Sequence, residues 1–262
     1  MRQLWVILLL MVVCSQGEKK DDPRFMFRCF LFPGKLKQVD AWQGKVYGID
    51  LDNLPNRLVG KCWSPLDGQM KHITVGPAGV WATDLKNNIY NLEEDNWVQI
   101  PGTLQQVDAG GTGFLTGVKS CHRAFCADIS VSSKQNLGWT LIPGKLQYYS
   151  CGPQTCWGVG EAGEVYVQTG VHAGDCAGKF GMVETKVPMA KVEVGSNGAV
   201  FALSSSGVPY QRVGISEERP LGTGWVRLHG LEAIRSLSYD RYILWLVNYT
   251  GQIRRCIKVI RK

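Results

Sequence analysis

Trp81, Asp84, Asn87, Asn88, Asn91, Asp95, Asn96 and Trp97 crowd one short stretch of a 262-residue chain. Indoles beside amides and carboxylates suit one kind of chemistry. The ring offers an apolar face to the C–H face of a sugar, and the polar neighbours replace water on its hydroxyls, each of which needs a partner once desolvated. Trp139 and Trp225 recur in the same context further along and extend the candidate set. The competing reading is structural: large aromatics are mostly buried, and rings that recur at a period pack one repeat against the next.

Other reactive-looking patterns reduce to structure. Gly158-Val-Gly160-Glu-Ala-Gly163 matches the dinucleotide fingerprint G-x-G-x-x-G, but that chemistry needs a helix beginning at the last glycines. Glu164-Val-Tyr-Val-Gln follows instead, so the stretch reads as a hairpin turn before a strand. His72, His122, His172 and His229 read as surface or turn residues. Even His172-x-x-x-Cys176 falls short of the four ligands of a zinc site. No nucleophile elbow, Cys–His pair or carboxylate pair stands out, so no catalytic residue is assigned and no enzyme is expected. No cofactor or metal ligand is assigned, with a contribution from calcium left open. Asn248-Tyr-Thr250 is a sequon and marks Asn248 as a candidate glycosylation site in a turn.

The elements that must position these residues come from a repeat. Six times the chain returns to a phrase whose fullest form is Trp-x-x-Ile-Pro-Gly-x-Leu-x-x-Val, opening at Cys29, Trp63, Trp97, Trp139, Phe180 and Trp225. The copy from Phe180 departs most, ending in Val187-Pro188 without its glycine. Aligned on the apolar residue before the first turn, the copies give Val39, Ile73, Val107, Tyr149, Val192 and Ile234. A second ladder runs Tyr47, Trp81, Leu115, Trp157, Phe201 and Trp245. Short alternating runs of Val, Ile, Tyr and Trp, punctuated by Gly and Asn, are strand and hairpin signals, and no stretch keeps a helical period. Units of about forty residues with four strands each are propeller blades. The expectation is an all-β chain, a six-bladed β-propeller of four-stranded antiparallel blades. The last copy stops short of its own Trp-x-x-Ile-Pro-Gly strand, while the chain opens on Phe27-Arg-Cys29-Phe-Leu-Phe-Pro33. The N-terminal strand is therefore expected to complete the last blade and close the ring.

Arg2, the apolar run 4–13 and the small residues at 15–17 read as a secretory signal peptide over 1–17. That leaves 18–262 as a single domain outside the cytosol, with no apolar run long enough to span a bilayer. Losing Arg2 and no acid takes the net charge from +7 to +6, thinly spread and without the Lys/Arg cluster of a nucleic-acid site. Nine cysteines become eight with the loss of Cys14, an even number that suits disulfides. Ring closure sets Cys29 beside Cys256, Cys151 and Cys156 flank a four-residue turn, and Cys121 and Cys126 share that spacing. These pairs leave Cys62 and Cys176 in nearly opposite blades, so either one local pairing is wrong or the two stay free.

The phrases Gly-Val-Trp-Ala, Cys-Trp-Gly-Val-Gly, Ile-Tyr or Val-Tyr, and Trp-x-x-Ile-Pro-Gly-x-Leu resemble those of the tectonin-repeat lectins, and most closely the secreted fish-egg lectins related to a horseshoe-crab tachylectin. The resemblance spans the mature chain. It implies a propeller that binds N-acetylglucosamine, galactose or bacterial surface glycans in egg or innate-immune defence. Implied partners are glycans, including bacterial lipopolysaccharide and egg glycoproteins, without nucleic acid or membrane insertion, and with homo-oligomerisation left open. A secreted protein-interaction scaffold is the alternative. The sugar-contacting residues carried forward are Trp81, Asp84, Asn91, Trp97, Trp139 and Trp225.

Overall fold

Alternating apolar and polar residues between tight turns give 24 strands among the described residues, grouped as six four-stranded antiparallel sheets. The computed structural model describes residues 25–130 and 134–260, so the signal peptide expected at 1–17 lies outside the described residues. Five blades are continuous in sequence, at 38–65, 70–103, 106–145, 148–183 and 189–227. The sixth takes three strands from 234–260 and its outermost strand from Phe25–Lys35. That strand pairs with Gln252–Ile260 and sets Cys29 directly opposite Cys256, where a disulfide joins the two ends of the ring. Cross-linking so long a loop contributes about 4–5 kcal/mol in the chain-entropy model. The propeller and its closure are as the repeat implied.

The register differs at two rungs. Thr116, not Leu115, lies opposite Asp108 as Trp81 lies opposite Thr74, because the turn of blade 3 holds one extra residue. Ser238 lies opposite Trp245, so the equivalent of Val39 is Leu237 rather than Ile234. The cysteines also need correcting. Cys151 and Cys156 are directly paired across their hairpin and bonded, but Cys126 bonds Cys176 of the next blade rather than Cys121. Cys121 sits in the turn itself, between Lys119 and Arg123, while Cys126 is buried in the strand Arg123–Asp128. Cys62 and Cys121 are free and exposed.

The inner strands meet around a polar channel. One side chain per blade occupies each level, and most reach the backbone of the next blade. Asp40 accepts from Val75 N (2.8 Å), Thr74 from Ala109 N (3.2 Å), Asp108 from Cys151 N (2.9 Å), Ser150 from Val194 N (3.1 Å) and Ser238 from Ala41 N (3.0 Å). Glu193 completes this level but turns back, accepting from Tyr148 and Ser150 hydroxyls. One level away, Gln38 and Gln106 each clasp a neighbouring strand through both amide atoms, at Ile73 and Tyr149. On the other side Gly76, Gly110, Gly152 and Gly195 stand where blades touch; a Cβ on Gly76 or Gly110 would lie within 2.0 Å of the next blade's carbonyl oxygen. His72 belongs to this channel, 6.1 Å from the Tyr148 ring, rather than to the surface or a turn.

Acid and hydroxyl therefore alternate around the ring, and three carboxylates share one channel. Burial, then the charge of Asp40, pushes the Asp108 carboxyl up to about 7. Burial raises Asp40 and Glu193 as well, and burial followed by Lys191 brings His72 down to about 3. Asp40, His72 and Glu193 keep partial contact with solvent, which moderates their shifts, whereas Asp108 is 6% exposed. Asp108 takes up its proton in the folded state at a pH where the unfolded chain stays ionised, so stability rises as pH falls from 8 to about 6.5. For a shift from 3.8 to about 7 the upper bound is on the order of 4 kcal/mol. Between about pH 6 and 4.5 the proton that the unfolded chain takes up at His72 offsets the one that the fold holds at Asp108, so stability levels off. Thermal melts should thus climb from pH 8 to about 6 and then run flat. Asp108→Asn, which keeps an acceptor for Cys151 N, should raise the melting temperature at pH 8 by several degrees and flatten the alkaline limb. His72→Gln, matching Gln38 and Gln106, should remove that offset, so that the melting temperature keeps rising below about pH 6.

Disulfide mapping by mass spectrometry without reduction should recover Cys126 linked to Cys176. Alkylation of the native protein should label Cys62 and Cys121 alone among the described cysteines.

Candidate functional site

The cluster that looks like one sugar site in sequence is divided between two ends of blade 2. Trp81 is fully buried and donates its Nε1–H to Ala78 O (2.8 Å). Asn91 is 1% exposed, gives its amide to Val80 O (3.0 Å) and accepts from Lys134 (2.8 Å). Neither presents a face to a ligand. Asp84 lies three residues along the strand, about 10 Å away, at the opposite end. Its Oδ1 accepts from Lys86 N and Asn88 N, shaping the turn in which Asn87 takes φ 73°. Asn248 fills the same slot in blade 6: it is 4% exposed, its Oδ1 accepts from Thr250 N and Gln252 N, and its amide bonds Gln252 Oε1. At that exposure the fold leaves little room for a glycan on the amide nitrogen.

Trp97, Trp139 and Trp225 do form a set, joined by Trp63. Each opens an outermost strand, paired with Leu92, Ala127, Arg212 and Leu58 respectively. Each is half-buried at the rim between two blades. The recurrent Pro-Gly explains their seat. In three outer strands it bulges out of the ladder, with glycine φ of 98°, 114° and 94° at Gly34, Gly102 and Gly144. The following blade's indole lies on that glycine. Trp63 donates to Pro33 O (2.9 Å), and a Cβ on Gly34 would stand 2.6 Å from its Cδ1. Trp97 donates to Asp67 O (2.9 Å) beside Gly68. Trp139 covers Gly102, and Trp225 packs in the cluster that holds Val187, which replaces the glycine there; both of these indole N–H groups lack a protein acceptor. The rim tryptophans are blade clamps with one ring edge still open to solvent.

Two junctions lack the clamp. Phe180 takes the slot in blade 4 and Cys29 in blade 6, and nothing stands within 4 Å of a Cβ on Gly144 or Gly230. Cys126–Cys176 ties blade 3 to blade 4 across one of them, whereas Cys29–Cys256 lies within blade 6, joining its two outermost strands. Beside Cys176 the blade 3–4 junction opens into a cleft of about 160 Å³, lined by Asp128, Gly138, Thr140, Gly174, Asp175 and Ala177. Two carboxylates, a hydroxyl and bare glycine backbone make it a polar recess. Nothing in the repeat pattern pointed to it, since Gly174, Asp175, Cys176 and Ala177 lie in the irregular 170–178 connection.

Glycine substitutions should separate clamp from conformation. Gly144→Ala pays only for its positive φ, roughly 1–2 kcal/mol. Gly34→Ala must also displace the Trp63 indole, for a further loss of roughly 1–3 kcal/mol. Denaturant unfolding should rank Gly34→Ala clearly below Gly144→Ala.

A tectonin domain model matches residues 35–249. The chain is 35% identical over 233 residues to the Fish-egg lectin of Cyprinus carpio, covering 87% of this chain and 98% of that protein. It is 21% identical over 193 residues to Tectonin beta-propeller repeat-containing protein 2 of Homo sapiens, covering 69% of this chain but 14% of that longer protein. Among solved structures, virginiamycin B lyase from Staphylococcus aureus superposes with a TM-score of 0.60 at 11% identity, over 89% of this chain and 99% of that one; this likeness shows the fold alone. With the model spanning five blades and two strands of the sixth, the chain belongs to the tectonin family.

Proposed function

We propose that this protein is a secreted, non-enzymatic lectin that binds carbohydrate through several sites on the propeller rim. The observation that carries the reading is the identity to a fish-egg lectin running through all six blades rather than one motif. The geometry supports it: half-buried indoles with open edges recur at the rim, and polar groups sit beside them, including the Arg57–Asp95 pair near Trp97 (2.7 Å) and Lys134–Glu93 near Trp139 (3.3 Å). Weak single sites gain strength when a rigid ring meets a dense glycan surface. N-acetylglucosamine, galactose and bacterial surface glycans, lipopolysaccharide among them, are the ligands proposed, with egg or innate-immune defence as the setting. Disulfides suit an extracellular protein, and no helix among the described residues is long and apolar enough to cross a membrane.

A glycan array on disulfide-intact protein tests this, with N-acetylglucosamine, galactose and lipopolysaccharide as competitors and a chelator arm for calcium. Retention that free sugar competes away is the expected result. A blank array from protein with native disulfides and a cooperative melt would favour the protein-interaction scaffold.

A further inference from the structure

One end of the propeller is built unevenly. At that end lie the turns that lead from the second to the third strand of each blade. In all six the fourth turn residue donates its N–H to the carbonyl of the first: Asn53 to Asp50, Asn87 to Asp84, His122 to Lys119, Gly163 to Gly160, Gly207 to Ser204 and Gly251 to Asn248 (2.8–3.3 Å). The second residue is therefore the same tip six times over. In blades 3, 4 and 5 it is Ser120, Glu161 and Ser205, polar and exposed. In blades 6, 1 and 2, which are neighbours around the ring, it is Tyr249, Leu51 and Leu85, and these are 60%, 47% and 54% exposed. Leu54, which ends the blade 1 turn, is exposed as well.

The cations follow the same division. The residue before the first channel side chain of each inner strand is Lys37, Lys71 and Arg235 in blades 1, 2 and 6, but Gln105, Gln147 and Ala190 in blades 3, 4 and 5. Lys37 donates to the Asn53 side chain and Lys71 to that of Asn87, so each ammonium lies against a turn that carries a bare leucine. Burial, then the charge of Arg235, lowers the Lys37 ammonium, which places these two cations on one patch across the blade 6–1 junction. Lys35 and Lys86 are exposed in the same sector. Asp50 and Asp84 spend Oδ1 on amides of their own turns, and Glu232 holds Arg254 (3.1 Å); Asp52 is the exposed acid of the three turns. The tips lean toward one another. A Cβ on Gly251 would stand 3.3 Å from Leu51 Cδ2, so the blade 1 tip rests on the turn that presents Tyr249.

We propose that this sector docks the propeller on an anionic phospholipid bilayer, with Tyr249, Leu51 and Leu85 seated at headgroup level and Lys37, Lys71 and Arg235 meeting the lipid phosphates. Single apolar residues scattered over a surface are ordinary. Three at one repeat position, on adjacent blades that each carry a cation, make the pattern of an interfacial contact. The cations draw the protein to the charged surface and the apolar tips hold it there. Tyrosine suits that depth, with an apolar ring and a polar end. The tips stand on separate turns of a rigid ring, which a fluid surface accommodates without a matched pocket for each, and this favours a bilayer over a protein partner. The contact uses none of the rim indoles and is independent of the carbohydrate reading.

Vesicle co-sedimentation of the disulfide-intact protein tests the docking. Vesicles of phosphatidylcholine and phosphatidylglycerol in equal parts are set against phosphatidylcholine alone, with free galactose and N-acetylglucosamine present throughout to occupy sugar sites. The mixed vesicles should retain the protein, the neutral ones should not, and added salt should release it. The other three blades supply the variants. Leu51→Ser with Leu85→Ser copies Ser120 and Ser205, and Lys37→Gln with Lys71→Gln copies Gln105 and Gln147. Each double variant should melt as wild type does and bind mixed vesicles about ten-fold or more weakly. Equal retention on both kinds of vesicle, or binding left intact by either double variant, would overturn the proposal. Folded wild type retained by neither vesicle would overturn it too and leave the face to a protein partner.

Discussion

A propeller exists only if every blade is held to the next, because one isolated four-stranded unit leaves both broad faces bare. This chain makes that joint twice over, once at the axis and once at the rim. At the axis a side chain from each inner strand caps an amide of the next blade, five times in one direction, with Glu193 as the exception that turns back. At the rim an indole rests on a bulged glycine of the preceding blade. The Trp-x-x-Ile-Pro-Gly phrase thus codes for both halves of a joint between different blades. Its Trp reaches backward, and its Pro-Gly receives the Trp that follows.

The axial joint carries a cost that the rim joint does not. Amides crossing between blades need acceptors, and where the acceptor is Asp rather than Thr or Ser the channel gains a charge that water barely reaches. Alternating Asp40, Thr74, Asp108, Ser150, Glu193 and Ser238 keeps like charges from adjoining blades. They still feel one another across the channel, as the mutual effects of Asp40, Asp108 and Glu193 show. Tyr148 bonded to Glu193 and Lys191 lying 5.6 Å over the Tyr148 ring counter part of that charge. The ring is closed by hydrogen bonds whose strength depends on how many protons the channel holds.

Blade count, strand count and ring closure were legible because they follow from period and from a missing strand, both of which survive substitution. Cys29–Cys256 was legible for the same reason. Sites were less so. Trp81 and Trp97 look alike in sequence, yet one faces the inside of a blade and the other its edge, a distinction set by which strand carries them and which face it turns. Asp84 and Asn248 looked like ligand and glycan acceptor; both are turn formers, as the Asx chemistry of short polar side chains allows. Cys121 and Cys126 have the spacing of Cys151 and Cys156, but only the second pair brackets its turn. The channel ring was hidden because its members share a level, not a residue type: Asp, Thr, Ser and Glu fill equivalent positions.

The irregular parts of the repeat are where its copies stop being interchangeable. Four junctions use Trp, and there the rim is packed. Where Phe180 or Cys29 replaces it the glycine seat is left open, and beside Phe180 the Cys126–Cys176 disulfide takes over the mechanical role. A covalent tie needs no surface, so the junction can keep its strength while giving up packing. That exchange is what lets a polar recess exist between blades 3 and 4 beside Cys126–Cys176, whereas the corresponding 214–222 connection of blade 5, beside a Trp-clamped junction, lays Leu221 against the preceding blade. In a fold where each repeat must bury its neighbour, a recess requires that one contact be surrendered and replaced by something narrower.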